Sequence, residues 1–548
     1  MRDRYTTHRQ AFQWDIPARF NIGAAILADH VDDDRVALID VQEDFRCTRY
    51  SFGELRQASA RLANGLRGLG IRPGDRVGIF LSQSAPLAIT HLATYLVGAV
   101  AVPLFTLFGD EALSYRIKDA GIAALVADVK DWPRLAAIRS EWGSLKWVLL
   151  TGREDDVSPD VLSWRRLIER SRTDFDPHPS RSDDPALIIY TSGTTGSPKG
   201  ALHAHRVLLG HLPGVSMSHQ SFPARNDMLW TPADWAWIGG LLDVLLPSLY
   251  CGVPVVAYRP RKFDPEQAME LLRRFPIQNI FFPPTALRLM RSVLRTPPAG
   301  VHLRTLASGG ESLGADIYDW IRSTLKVDVA EFYGQTEANM IVSNAPDVFD
   351  PIPGSMGRAA YGHDVRMMTE DGHEAGVGEV GEVTVSVSDP VGFLGYWNRP
   401  EATLAKTRNH RIHTGDLAKK DDQGYLYFVG RVDDMINSAG YRIGPTEIEE
   451  IILHHPDVAL VAVIGKPDPI RGEIIKAFIV PAHPNIPEDK LSEEIKALVR
   501  TRLGSHEYPR EVSLVDALPM TTTGKIQRQI LRQQEQQKMR HGNERPNL

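Results

Sequence analysis

The sequence predicts an α/β fold: a large N-terminal domain of doubly wound sheets with a small β-rich subdomain, then a small α+β C-terminal domain. Three observations predict it. Apolar runs of strand length alternate with helical stretches, short alternating segments take over after Arg358, and a further set of strands and helices follows Asp433. The expected domains are residues 1–432 and 433–548. A chain of 548 residues that is 43% hydrophobic can bury cores of this size.

In chain order, Val77-Gly-Ile-Phe-Leu-Ser reads as a buried strand, Pro86 opens a helix ending near Gly98, and Ala99-Val-Ala-Val-Pro-Leu reads as the next strand. No Asp, Glu, Lys or Arg stands between Arg76 and Asp110, a length that could cross a bilayer, yet this punctuation favours a buried βαβ unit. Strands are expected at Ala123-Ala-Leu-Val-Ala, Trp147-Val-Leu-Leu, Ala186-Leu-Ile-Ile-Tyr190, Val253-Pro-Val-Val-Ala, Asn279-Ile-Phe-Phe and Leu306-Ala-Ser, with a helix from Pro265 to Phe275. Gly381-Glu-Val-Thr-Val-Ser-Val exemplifies the β-rich segment. Beyond Asp433 come a helix at Thr446 to His454, strands at Leu460-Val-Ala-Val-Ile and Ala477-Phe-Ile-Val, and a helix at Lys490 to Arg502. The polar tail from Gln533 is expected to fray.

Composition narrows the function classes. A formal net charge of −6 gives no global attraction to nucleic acid or anionic membrane. Two cysteines, Cys47 and Cys251, argue against a disulfide framework and offer no metal-ligand spacing. The N-terminal stretch lacks the apolar core of a signal peptide, so a cytoplasmic enzyme without a membrane span is expected.

The most informative stretch is YTSGTTGSPKG, Tyr190 to Gly200, which brings hydroxyls, permissive backbone and one cation together after a buried strand. Gly193, Gly196 and Gly200 let N–H groups approach phosphate oxygens, Thr191, Ser192, Thr194, Thr195 and Ser197 add donors, and Lys199 adds charge. Lys199 is flanked by Pro198 and Gly200, so this is not a Walker A loop. Two other patterns are rejected. Gly376-Val-Gly-Glu-Val-Gly381 leads into a strand, and Glu379 and Glu382 would repel a pyrophosphate. His203, His205 and His211 lack a carboxylate or thiol to complete a metal site and read as packed or surface histidines.

The strand and loop resemble the signature of the adenylate-forming acyl-CoA synthetases. Ser308-Gly-Gly-Glu-Ser312, Tyr333-Gly-Gln-Thr-Glu337, Thr414-Gly-Asp416, Gly430-Arg-Val-Asp-Asp434, Gly440-Tyr-Arg442 and Thr523-Gly-Lys525 follow in the family's order, so the resemblance covers nearly the whole chain. It is closest to bacterial short- and medium-chain acyl-CoA synthetases. The implied reaction is attack of a carboxylate on the α-phosphorus of ATP, expelling diphosphate, followed by attack of the coenzyme A thiol on the acyl-adenylate with loss of AMP. Such chemistry needs charge neutralisation and alignment, and no nucleophilic side chain.

By this resemblance, Thr191 to Lys199 hold the β- and γ-phosphates, while Gly310, Glu311 and Ser312 with Glu331, Phe332 and Tyr333 enclose adenine, accompanied by Gly334 and Gln335. Thr336 contacts the α-phosphate and Glu337 positions Mg²⁺. Asp416 and Arg431 bind the ribose. Lys525 bridges carboxylate and α-phosphate during adenylation, on a mobile C-terminal domain hinged at Asp433, while in the second half-reaction Gly440 lines the coenzyme A channel and Arg442 helps with the phosphate. Acetylation of Lys525 is expected to switch the enzyme off, implying an acetyltransferase and a deacetylase as partners. The acyl pocket is expected from Trp237, Ile238, Gly239, Gly309 and Gly334, with Gly334 making room where acetate-specific relatives carry Trp. Short- to medium-chain or branched acids are therefore expected. Acetate or aryl acids, or transfer to a carrier protein instead of free coenzyme A, remain alternatives, and Trp235 or Trp237 could shorten the pocket. Ala338-Asn339 departs from the family's usual pair.

Overall fold

A computed structural model describes residues 3–28, 32–191, 197–260, 262–438, 441–468, 471–484, 486–503, 507–521 and 525–543. Among them two compact units are distinguished: one holds the chain up to Thr191 with 197–365 and 385–412, the other 366–384 and the chain from His413 onward.

The first unit contains two sheets, of nine and eight strands among the described residues, each parallel at its centre; the nine-stranded sheet is antiparallel at both edges and the eight-stranded sheet at one. The segment free of charged residues folds as its punctuation predicts. Arg76–Phe80 and Val100–Pro103 pair in parallel, with helix Ala85–Val97 between them in sequence. Ser84 caps that helix by accepting from Leu87 N, Pro86 sits in its first turn, and Gly98 ends it at φ +78°. Its residues are buried in one apolar cluster with Leu38 of the nine-stranded sheet and Val77 and Ala101 of the eight-stranded sheet. The segment is thus the buried layer shared by the two sheets. No described helix is long and apolar enough to cross a membrane.

The second unit carries the predicted β-rich segment, including Leu426–Arg431 paired antiparallel to Arg411–Lys420, and a C-terminal sheet. In that sheet Val458–Asp468 and Gly472–Pro481 pair antiparallel and Glu511–Leu514 runs parallel to the latter. Helices Pro445–Leu453 and Glu488–Arg502 bury Ile448, Ile452, Leu491, Ile495 and Val499 against the sheet residues Val461, Val463 and Ile475. Within this unit Arg532 donates to Asp433 O at 2.8 Å and pairs with Asp434. The tail departs from expectation. Arg528–Asn543 is a helix that buries Leu531 and Glu535, and the Glu535 carboxylate accepts from Lys476 Nζ at 2.8 Å. That buried charge pair and the Leu531 contact anchor a segment whose composition reads as disordered.

Candidate functional site

Strand Pro185–Thr191 turns back antiparallel along Lys199–Ala204, pairing Tyr190 with Gly200 and Thr191 with Lys199, which brings the two ends of the predicted phosphate loop side by side. Ser192, Gly193, Thr194, Thr195 and Gly196 lie outside the described residues. Around the stem, Asp119 collects three donors: Tyr190 Oη at 2.7 Å, Arg399 at 2.7 Å and, to its carbonyl, Trp397 Nε1 at 3.1 Å. Trp397 N donates to Gly200 O at 2.7 Å and Tyr115 Oη to Pro198 O at 3.0 Å. Hydrogen bonds of this density hold a loop stem in one geometry.

Beside the stem, Gly395–Tyr396 adds an edge strand to Lys199–Ala204. The Tyr396 hydroxyl donates to Glu337 Oε1, and the Lys199 ammonium stands 5.2 Å from the centre of the Tyr396 ring. One aromatic side chain therefore touches both the predicted phosphate cation and the predicted Mg²⁺ carboxylate, a hydrogen bond on its edge and a cation–π contact on its face. Glu337 is 7% exposed, and its carbonyl accepts from Phe393 N at 3.0 Å. Tyr396 was not among the residues expected from sequence; its only signal there is an aromatic pair, Tyr396-Trp397, after two glycines.

The predicted adenine segments meet at the carboxyl ends of parallel strands Thr305–Gly309 and Val329–Gln335, where Ser308 lies opposite Glu331 and Gly309 opposite Phe332. Ligands of open α/β sheets gather at this end of the strands. Leu313 N donates to Glu331 Oε1 at 3.2 Å, and Arg288 holds the loop through Glu311 at 3.2 Å and Ser312 O at 3.1 Å. Gly310 takes φ +96°, and a Cβ there would meet nothing within 4 Å, so its backbone faces open space. Tyr333, Gly334, Gln335 and Thr336 are half-buried, whereas Glu331, Phe332 and Glu337 on either side are buried.

Of the acyl candidates, Trp237, Ile238 and Gly239 form a half-buried step between buried neighbours. The Trp237 ring packs on Phe105 and Phe108 at 5.5 and 5.9 Å, and Trp235 is wholly buried in the core. Gly239 and Gly309 face one aromatic pair: a Cβ on Gly239 would lie 3.0 Å from Phe281 and one on Gly309 2.7 Å from Phe332, whose rings are 5.2 Å apart. Gly334 differs, and the expectation that it opens the pocket floor is corrected. A Cβ there would lie 2.4 Å from Met340 N and 2.6 Å from Asn339 Cα, because the hairpin register slips between Tyr333 and Gln335 and the opposing main chain crosses close by. Backbone approach, not an empty pocket, demands this glycine.

In the second unit Asp416 and Arg431 are cross-strand partners, joined at 3.0 Å, and Arg431 also bonds Asp433 at 2.9 Å. This brings the predicted ribose pair together. Lys525 is exposed; its N–H donates to Thr521 Oγ1 at 3.1 Å and its carbonyl accepts from Thr521 N at 2.8 Å. Gly440 lies outside the described residues, as does the Arg442 side chain, although the Arg442 backbone pairs with Asn437.

The three histidines are buried, and burial lowers the imidazoles of His203 to about 3 and of His205 and His211 to about 4. No metal-holding cluster of His, Cys, Asp and Glu occurs among the described residues.

Residues 28–397 match the AMP-binding enzyme family and 447–525 the AMP-binding enzyme C-terminal domain. Acyl-coenzyme A synthetase ACSM5, mitochondrial, of Homo sapiens is 34% identical over 89% of this chain and 84% of its own length. The acyl-CoA ligase YtcI of Bacillus subtilis (strain 168) is 31% identical over 95% of this chain and 97% of its own. Among solved structures, the anthranilate CoA ligase AuaEII in complex with anthranoyl-AMP superposes with a TM-score of 0.85 at 27% identity, covering 96% of this chain and 99% of that one.

Proposed function

This chain belongs to the AMP-binding enzyme family, and from that premise we propose that it is an AMP-forming acyl-CoA synthetase acting on short- to medium-chain or branched carboxylic acids. ATP, a carboxylic acid and coenzyme A are its substrates. The observation that carries the reading is the contact of Tyr396 with both Glu337 and Lys199, which supports their proposed roles on one triphosphate.

The chemistry follows from those groups. Lys199 and the loop it closes draw charge from the β- and γ-phosphates, so that diphosphate becomes a good leaving group. Glu337 is a buried hard-oxygen ligand held on one side by Tyr396, a donor that suits Mg²⁺ shared with substrate phosphates. When bound there, Mg²⁺ would neutralise phosphate charge and align the triphosphate. Asp416 accepts from the ribose hydroxyls, oriented by Arg431, and Thr336 donates to the α-phosphate. Lys525 stabilises the charge developing between carboxylate and α-phosphorus. Thioester formation then falls to the segment containing Gly440 and Arg442, with Asp433 as hinge. Control by acetylation of Lys525 and a cytoplasmic setting belong to the same proposal.

An aryl acid is the second reading, favoured by the Phe281 and Phe332 pair facing Gly239 and Gly309. A panel of aliphatic and aromatic acids, assayed with ATP, Mg²⁺ and either coenzyme A or a phosphopantetheinylated carrier, tests both. AMP release that requires acid and coenzyme A supports the proposal. Turnover with the carrier alone, or none with any acid, would overturn it.

A further inference from the structure

The π-helical turn Gly239–Leu245 starts at the acyl candidates and carries Asp243, a carboxyl only 2% exposed. Its Oδ1 accepts from Asn339 Nδ2 at 2.8 Å, while Oδ2 has no hydrogen-bond partner among the described residues. A buried polar atom left in this state calls for a partner. The geometry shows where that partner would stand. A Cβ on Gly239 would lie 3.5 Å from Asp243 Oδ2 and 3.0 Å from the Phe281 ring, so the unpaired oxygen faces the spot where glycine leaves a side chain out.

The remaining neighbour supplies no counter-charge. His211 Nε2 is 3.9 Å from Asp243 Oδ1, but His211 Nδ1 is 2.7 Å from Val207 O and must hold the ring proton to bond it, and burial keeps the imidazole neutral. Burial also raises the Asp243 carboxyl well above the usual carboxylate range, against the opposing hydrogen bond from Asn339. A protonated carboxyl whose Oδ1 accepts from Asn339 keeps an O–H on Oδ2, able to donate and to accept. An alcohol complements such a group.

We propose that Asp243, oriented by Asn339, recognises a hydroxyl group on the acyl chain, making hydroxylated carboxylic acids the preferred substrate class. The inference rests on the acyl-CoA synthetase reading and on Gly239 lining the acyl pocket. It also gives Asn339 a role, that of positioning Asp243. A plain alkyl chain would leave Oδ2 buried and unpaired, and a site built to bond a substrate hydroxyl rejects analogues lacking it far more strongly than an apolar pocket rejects a missing methylene.

The test is kcat/KM, from diphosphate release, for straight-chain acids from acetate to octanoate, each against its hydroxylated analogues, in the wild type, Asp243→Asn and Asp243→Leu. The wild type should favour at least one hydroxylated acid by about tenfold or more. Asp243→Leu should reverse that preference, and Asp243→Asn should weaken it. If Asp243→Leu does not fold, the wild-type ratio and Asp243→Asn decide. A wild type that favours unsubstituted acids at every length, or a hydroxyl preference unchanged in Asp243→Asn, overturns this inference alone. No diphosphate release with any acid overturns the synthetase reading and this inference with it.

Discussion

Glu337 and Lys525 carry opposite charges assigned to one nucleotide, and the chain holds them by opposite means. Glu337 is buried, with its carboxylate bonded to the Tyr396 hydroxyl and its carbonyl to Phe393 N. Lys525 is exposed and fixed through its main chain to Thr521, which leaves its ammonium on a long flexible stem. A group that must meet the triphosphate whenever it binds gains from being aimed in advance, since no reorganisation is then needed during reaction. A group required in one half-reaction gains from being removable. Under the proposed roles, the difference in burial corresponds to a difference in timing.

The contrast breaks most sharply at the lysine. Lys525→Ala should lower acid-dependent exchange of diphosphate into ATP by about 10²–10³-fold, while thioester formation from supplied acyl-adenylate stays near wild type. Equal loss of both steps would make Lys525 a fixed part of the site. Glu337→Gln keeps the shape and removes the charge, so adenylation should fall by about 10²-fold and need more Mg²⁺ for half-saturation. Tyr396→Phe, which leaves the carboxylate but frees it, should cost about tenfold and shift the Mg²⁺ midpoint in the same direction. An unchanged midpoint would make Tyr396 a packing residue only.

Gly334→Trp sharpens the same comparison within the large unit. The side chain would meet the main chain at Asn339 and Met340, so the variant should lose about 1–3 kcal/mol of stability or more. Its kcat/KM should fall for acids of every length. Selective loss of long acids with an unchanged Tm would restore Gly334 to the pocket floor.

The smallest effect concerns pH. Burial puts the imidazoles of His203 and His219 at about 3 and of His205 and His211 at about 4, against 6.5 for an ordinary histidine. Folded values below the unfolded one mean that the folded state binds fewer protons. Stability is then full above pH 6.5 and falls as pH drops toward these values, by up to about 1.4 kcal/mol per pH unit for each histidine. Urea midpoints should be flat above about pH 7 and decline from about pH 6.5 to 5. A flat profile across that window would place the titration elsewhere.

What was legible in the sequence depended on how local the cause is. The helix Ala85–Val97 was readable because Pro86 and Gly98 mark its ends within a single apolar run. The strand at Leu306-Ala-Ser was readable as a short apolar run in an alternating α/β pattern, and parallel pairing of Thr305–Gly309 with Val329–Gln335 is the ordinary outcome for successive strands of such a sheet, whereas an adenine role for these segments came from the resemblance alone. The Tyr396 to Glu337 and Asn339 to Asp243 bonds span 59 and 96 residues and leave no periodicity to detect. Gly334 shows a related difficulty: a glycine reports that space is short or a turn is tight, and the sequence does not say which. The terminal helix was missed because Leu531 and Glu535 anchor a stretch otherwise rich in Gln and Arg.

The central claim is that a carboxylate oxygen attacks the α-phosphorus of ATP. The direct measurement is to supply an acid labelled with heavy oxygen in its carboxylate, together with ATP, Mg²⁺ and coenzyme A, and to follow the label by phosphorus NMR. The account predicts that each AMP released carries one labelled oxygen and that diphosphate carries none. Label in orthophosphate formed alongside ADP, or unlabelled AMP alongside thioester, would contradict it.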